Sequence, residues 1–101
     1  MEHITDIAEF DELLSGEKPI LADFYAEWCG PCKMLSPVVE EFAGEHPEIV
    51  TVKVNVDEVF PLAARFGVVS VPTLIFFQNG EVAARSVGAV PKEEIEQLIT
   101  V

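Results

Sequence analysis

Cys29 and Cys32 are the only cysteines in the sequence, and they stand in the string Trp28-Cys29-Gly30-Pro31-Cys32-Lys33. A disulfide between such near neighbours closes a tiny loop and restrains little of the unfolded chain, so a structural staple explains the pair poorly. Redox chemistry explains it better. The pair lies between the end of an apolar run and the start of a helical pattern, which puts Cys29 at a helix N-cap. There its sulfur meets unpaired backbone N–H groups and the positive end of the helix dipole, and both favour thiolate over thiol. Cys32 falls on the same side of the first turn, where Cβ atoms are about 5–6 Å apart. A disulfide needs about 3.5–4.5 Å, so a modest adjustment interconverts dithiol and disulfide. Zinc is the competing use of such a pair. A tetrahedral site needs four ligands, and there is no second cysteine pair and no ligand spacing for His3 and His46. No metal is expected.

The elements that must hold this pair follow from periodicity and punctuation. Between Asp6 and Ser15, the residues Ile7, Phe10, Leu13 and Leu14 share one helix face, and Gly16 ends it. Ile20 to Ala26 is a short apolar run after Pro19 and reads as a buried strand. Pro31 suits the first turn of a second helix, where its missing N–H costs nothing. Met34, Leu35, Val38, Val39 and Phe42 form the apolar stripe of that helix, and Pro37 inside it predicts a kink. Ile49 to Val56 is β-branched and reads as another strand, with Asp57 as the cap of a short helix ending near Gly67. Thr73 to Gln78, Asn79-Gly80 and Glu81 to Val87 make a hairpin pattern with a two-residue turn. Pro91 opens a last helix with Ile95, Leu98 and Ile99 inward, and His3-Ile4 adds a short first strand. This order predicts an α/β fold, a mixed sheet with helices on both faces.

The chain has 101 residues, 18 of them acidic and 6 basic, for a net charge of −12. That length suits a single domain over 1–101. Half the residues are apolar, enough for a core and too many for intrinsic disorder. Six scattered cations cannot supply the basic patch that nucleic acid or an anionic membrane requires. No segment reaches the roughly 20 apolar residues of a membrane span. The longest charge-free stretch, Phe66 to Gly80, is interrupted by Pro72 and Asn79-Gly80. Met1-Glu2-His3 lacks the positive and apolar regions of a secretory signal. A soluble, cytoplasmic monomer is expected. With no glycine-rich phosphate loop, no cofactor is expected either.

Preceded by Asp23-Phe24-Tyr25-Ala26-Glu27 and followed by Val71-Pro72-Thr73, the cysteine string resembles the thioredoxin family. The resemblance extends through Phe10, Pro37, Asn79-Gly80 and Val87-Gly88-Ala89 over nearly the whole chain. It implies the thioredoxin fold and thiol–disulfide exchange, with net reduction of protein disulfides. It implies Cys29 as the nucleophile that forms a mixed disulfide, and Cys32 as the less exposed thiol that resolves it. Asp23 matches the buried carboxylate that exchanges a proton with the second cysteine, and Lys53 the ammonium near that carboxylate. Pro72 matches a cis-proline facing the disulfide, and Val71 the residue whose backbone pairs with an extended substrate. Trp28, Gly30, Pro31, Val71, Val87, Gly88 and Ala89 match a flat apolar docking surface. The implied partners are a thioredoxin reductase, NADPH- or ferredoxin-linked, and disulfide-bearing client proteins. Electron transport to client enzymes and cell redox homeostasis follow from the same resemblance. Tyr25 departs from the tryptophan or phenylalanine often found there, and the charge is more acidic than the family's.

The residues' own chemistry supports some of these roles and leaves others open. Asp23 interrupts an apolar strand, where burial raises a carboxyl pKa, unless it lies at a strand edge and faces water. Alternation in Val50-Thr51-Val52-Lys53-Val54 turns Lys53 outward to solvent. Trp28 suits either core or docking surface. His3, His46 and Glu40-Glu41 read as solvated surface. Two other functions stay open: a binding subunit with idle thiols, and an oxidase or isomerase of an oxidising compartment.

Overall fold

Among residues 1–100, which the computed structural model describes, the order is β1 (Glu2–Ile4), α1 (Ile7–Leu14), β2 (Ile20–Tyr25), α2 (Gly30–Glu45) and β3 (Val50–Asn55), then α3 (Phe60–Arg65), β4 (Thr73–Gln78), β5 (Glu81–Val87) and α4 (Lys92–Leu98). Val101, the last residue of the expected domain, lies outside the described residues. The strands form one sheet in the order β1-β3-β2-β4-β5. β3 runs parallel to β1 and β2, whereas β4 is antiparallel to β2 and β5.

Every residue of β2 is buried, because this central strand is covered on both faces. Ile20, Ala22 and Phe24 pack with Phe10 of α1 and with Leu62 and Ala63 of α3. Leu21 packs on the opposite face with Leu35, Val39 and Phe42 of α2 and Ile95 of α4. Alternation therefore turns Asp23 toward α2, away from the α1 and α3 layer. In α1, the N-cap Asp6 accepts the Glu9 N–H at 2.8 Å, the bond a capping aspartate is placed to make. The β4–β5 turn puts Asn79 and Gly80 both at positive φ, 55° and 78°, the conformation a tight hairpin demands of its two central residues.

Three sequence readings need correction. Met34 is exposed, and the buried face of α2 is Cys32, Leu35, Val39 and Phe42. Its steps of three, four and three residues leave Met34 about a third of a turn off the seam. Asp57 does not cap α3, whose N-cap is Val59 without a side-chain bond. The Asn55 side chain instead accepts the Asp57 N–H at 2.9 Å, and this turn delays the helix by two residues.

His46 is not free surface. Its ring stacks on Phe42 at 4.3 Å and bonds Glu48 at 3.1 Å and Glu96 at 3.0 Å, joining the end of α2 to α4. Lys92 adds a second link between these helices through Glu41 and Glu45. Burial alone would lower the His46 pKa, but the bonds to Glu48 and Glu96 and their charges outweigh it, and the net shift is upward. A histidine with a raised folded-state pKa adds stability that is complete below the unfolded value, about 6.5, and lost as pH rises through the folded one. His46→Gln should therefore destabilise the protein at pH 6 and have less effect at pH 9, in urea unfolding. An equal effect at both would contradict the clamp.

Candidate active site

The site forms where β2 ends and α2 begins. The Cys29 N–H donates to the Ala26 carbonyl at 3.2 Å, which folds the strand end back into a turn. Cys29 then takes the N-cap position, and its sulfur accepts the Cys32 N–H at 3.2 Å. Pro31, in the first turn, has no N–H to compete for that acceptor. Cys29 and Cys32 are joined as a disulfide, with Cα atoms 5.3 Å apart. The dipole and backbone donor expected from the spacing are both aimed at Cys29. Differential exposure is absent, since each cysteine is 4% exposed, and the asymmetry between them comes from helix position.

A second segment closes over the disulfide. The Val71–Pro72 peptide is cis, and the Val71 carbonyl oxygen lies 3.7 Å from the Cys29 sulfur. The Gly88 N–H donates to the Pro72 carbonyl at 2.8 Å and ties the end of β5 to this loop. Gly88 does so at a φ of 98°, a conformation that side chains disfavour. Trp28, Gly30, Pro31, Val87 and Ala89 are exposed, Val71 and Gly88 partly so, and Pro72 is buried. Trp28 is 72% exposed, so it is not core. Its indole N–H donates to the Asp57 carboxylate at 3.0 Å, which fixes a large apolar face beside the thiols.

Asp23 is 1% exposed and its Oδ1 has no hydrogen-bond partner, which removes the strand-edge alternative. In register it lies between Lys53 of β3 and Leu74 of β4. Burial pushes its pKa up to about 6, while the Lys53 charge pulls the other way. Lys53 is half-buried rather than turned to solvent, because β3 passes beneath α2 there. Its ammonium donates to the Ser36 hydroxyl at 3.2 Å and sits 4.4 Å from the centre of the Tyr25 ring. No ion pair joins Lys53 to Asp23 among the described residues, so the carboxyl keeps its raised value. A groove of about 360 Å³ opens beside this group, lined by Cys32, Lys33, Ser36, Lys53, Tyr25 and Glu27 among others.

Sequence reasoning points to the two cysteines and to Asp23, and does not foresee the Ser36 hydroxyl that meets Lys53 or the Asp57 carboxylate that meets the Trp28 indole. Of these, Asp57 carries a signal, an aspartate directly after a strand, but that signal points to a helix cap instead. The arrangement supplies a cysteine at a helix N-terminus, a second cysteine bonded to it one turn on, and a buried carboxyl whose pKa burial raises to about 6. Such a set can exchange a disulfide and manage the protons involved.

Comparison with known proteins agrees with this chemistry. The family model described as Thioredoxin matches residues 2–101. The thioredoxin of Mycoplasmoides gallisepticum is 46% identical over 99 residues, covering 98% of this chain and 99% of that protein. The bifunctional thioredoxin reductase/thioredoxin of Mycobacterium leprae is 50% identical over 90 residues, 88% of this chain and 20% of that one. The solved structure of Plasmodium falciparum thioredoxin is similar with a TM-score of 0.92 at 36% identity, covering 98% of this chain and 96% of that one.

Proposed function

Because this chain belongs to the thioredoxin family and is a protein-disulfide oxidoreductase that works by dithiol–disulfide exchange, we propose that Cys29 and Cys32 divide the reaction between them. The Cys29 thiolate attacks one sulfur of a client disulfide. A Cys29–client disulfide forms, and the client's other sulfur leaves as a thiolate that takes up a proton. Cys32, deprotonated by Asp23, then attacks the Cys29 sulfur. The Cys29–Cys32 disulfide forms and the second client sulfur leaves, protonated in turn. Two electrons have passed to the client. Lys53 tunes Asp23, and Val71, Pro72 and the exposed apolar residues around Trp28 seat the client.

The observation that carries the assignment of the nucleophile is the Cys32 N–H donated to the Cys29 sulfur at the N-cap of α2. Limited alkylation of the reduced protein near neutrality should label Cys29 first. Labelling of Cys32 first would reverse the roles.

Residues 1–101 act as one domain, as a monomer, in the cytoplasm. They carry electrons from a thioredoxin reductase to client enzymes and so serve redox homeostasis. The family works with such a reductase, and one relative's name joins both activities in a single chain. No helix among the described residues is long and apolar enough to cross a membrane.

Ser36 bears on the proton step. With Ser36→Ala, the Lys53 ammonium loses its oxygen partner and is free to move toward Asp23. The Asp23 titration midpoint, followed by NMR of its carboxyl carbon, should fall from about 6 toward the ordinary carboxylate range. An unmoved midpoint would mean that Ser36 does not hold Lys53 away.

A further inference from the structure

His46 presents both ring nitrogens to carboxylates. Nδ1 lies 3.1 Å from Glu48 Oε2, and Nε2 lies 3.0 Å from Glu96 Oε2. A neutral imidazole carries one N–H, so one of these contacts sets a nitrogen lone pair against a carboxylate oxygen. A second proton relieves that contact, and so does a metal ion between the two atoms. A third ligand is within reach. Glu45, the last residue of α2, offers a carboxylate oxygen within 4.8 Å of both a His46 ring nitrogen and a Glu96 oxygen.

The fold holds these groups in place. His46 is the C-cap of α2: its N–H donates to the Phe42 carbonyl at 3.0 Å, and its carbonyl accepts the Ile49 N–H at 3.0 Å. Its ring stacks on Phe42 with centroids 4.3 Å apart. Glu96 follows Ile95, which is fully buried with Leu35, Val39 and Phe42 of α2, so the docking of α4 delivers the carboxylate to the histidine. Lys92 bonds Glu41 Oε1 and Glu45 Oε2 at 2.8 Å each, which orients the Glu45 carboxylate and leaves it a second oxygen.

The local charge favours a cation. The sixteen residues of α2 end here with no basic residue in the last turn, so the negative end of the helix dipole faces the cluster. Glu41, Glu45, Glu48 and Glu96 gather around a single lysine. The donor set selects the ion. Zinc binds imidazole nitrogen and carboxylate oxygen at about 2.0–2.2 Å in a tetrahedron, which sets neighbouring ligand atoms roughly 3.3 Å apart. The contact between Nε2 and Glu96 needs to open only slightly to admit it. Magnesium and calcium take oxygen ligands and gain nothing from the imidazole.

We propose that Glu45, His46 and Glu96 form a zinc site at the junction of α2 and α4. Nε2 and one oxygen from each glutamate are the ligands, with water in the fourth position. Glu48 acts from outside the set: by accepting the Nδ1 proton it fixes the tautomer that leaves Nε2 to the metal. Zinc there ties the end of α2 to α4. At about 1.5 Å per residue, the helix places the site roughly 20 Å from the disulfide, apart from the exchange chemistry. The spacing argument against zinc weighs ligands close in sequence, and Glu96 lies fifty positions from His46.

The test uses the oxidised protein, whose disulfide keeps the sulfurs from taking metal. After treatment with a chelator and its removal, calorimetric titration with Zn²⁺ should show one ion bound per chain. At a hundred times the measured Kd, Zn²⁺ should lower the urea-unfolding equilibrium constant about a hundredfold. Co²⁺ should bind with the absorption bands of a tetrahedral ion, and excess Zn²⁺ should abolish them. His46→Gln, Glu45→Gln and Glu96→Gln should each weaken Zn²⁺ at least tenfold, and Glu48→Gln about tenfold. His3→Gln should leave binding unchanged. The glutamate variants alter exposed side chains and keep their shape, so they report on the site even if His46→Gln folds poorly. Absence of bound Zn²⁺ would overturn the site and leave His46 as a proton-bridged clamp alone. Binding that survives both His46→Gln and Glu96→Gln, or that Mg²⁺ matches at equal concentration, would overturn it as well, as a diffuse attraction of cations to acidic surface.

Discussion

A Cys32→Ser protein mixed with a disulfide-bearing client should stop after the first half of the reaction, with the client covalently bound through Cys29. In the intact chain the second sulfur is one helical turn from the first, with Cα atoms 5.3 Å apart. An intramolecular attack at that separation outruns any thiol from solution. Serine keeps the helix and its N-cap but cannot displace a sulfur. Steady-state turnover should therefore fall by several orders of magnitude, while the first attack proceeds at nearly its normal rate. Non-reducing electrophoresis and mass spectrometry would show the adduct, and added dithiol should release it. Cys29→Ser should give no adduct at all. An adduct on Cys32 in that second variant would contradict the division of labour.

Asp23→Asn should make the protein more stable near pH 7 and slower in exchange. The sign follows from linkage. The folded-state pKa is raised from 3.8 to about 6, so between those values the native state holds a proton that the unfolded chain has released. Stability falls as pH rises through that window and stays at the lower level above it. The full penalty is about 3 kcal/mol, because each tenfold gain in proton affinity is worth roughly 1.4 kcal/mol. Asparagine removes the ionisation and keeps a buried polar group, so the gain at pH 7 approaches that figure and vanishes as pH falls to 4. Urea unfolding across this range reads the curve. In the same variant, the rate of client release from the mixed disulfide should drop, because Asp23 is the only buried carboxylate among the described residues to take the Cys32 proton. A variant that is no more stable at pH 7, with unchanged release, would remove Asp23 from the proton path.

Much of this is legible in the sequence because its signals are local. The hairpin is readable at Asn79-Gly80, whose residue types are those that tolerate positive φ. The cysteine spacing and Pro31 point to the N-cap and the disulfide reach. Asp23 stands out as one carboxylate in an apolar run.

The misreadings come from tertiary context. Alternation turns Lys53 off one face of β3, correctly, but cannot say that α2 covers that face and offers Ser36 as an acceptor. His46 looks like loop surface because Glu96, fifty positions on, joins it only when α4 docks. Asp57 has the residue type of a cap, but Asn55 shapes the turn first and leaves the carboxylate to Trp28.

The reduction potential of the Cys29–Cys32 couple, measured by equilibration with glutathione or a second dithiol protein, tests the direction of electron flow most directly. A protein-disulfide reductase must lie below the glutathione pool, at about −220 to −260 mV by biochemical extraction. The expected value is the one general to thioredoxins, roughly −270 mV, which comes with family membership rather than from this geometry. A potential of about −120 mV, typical of a strong oxidant, would mean that the pair forms disulfides in its clients rather than reducing them.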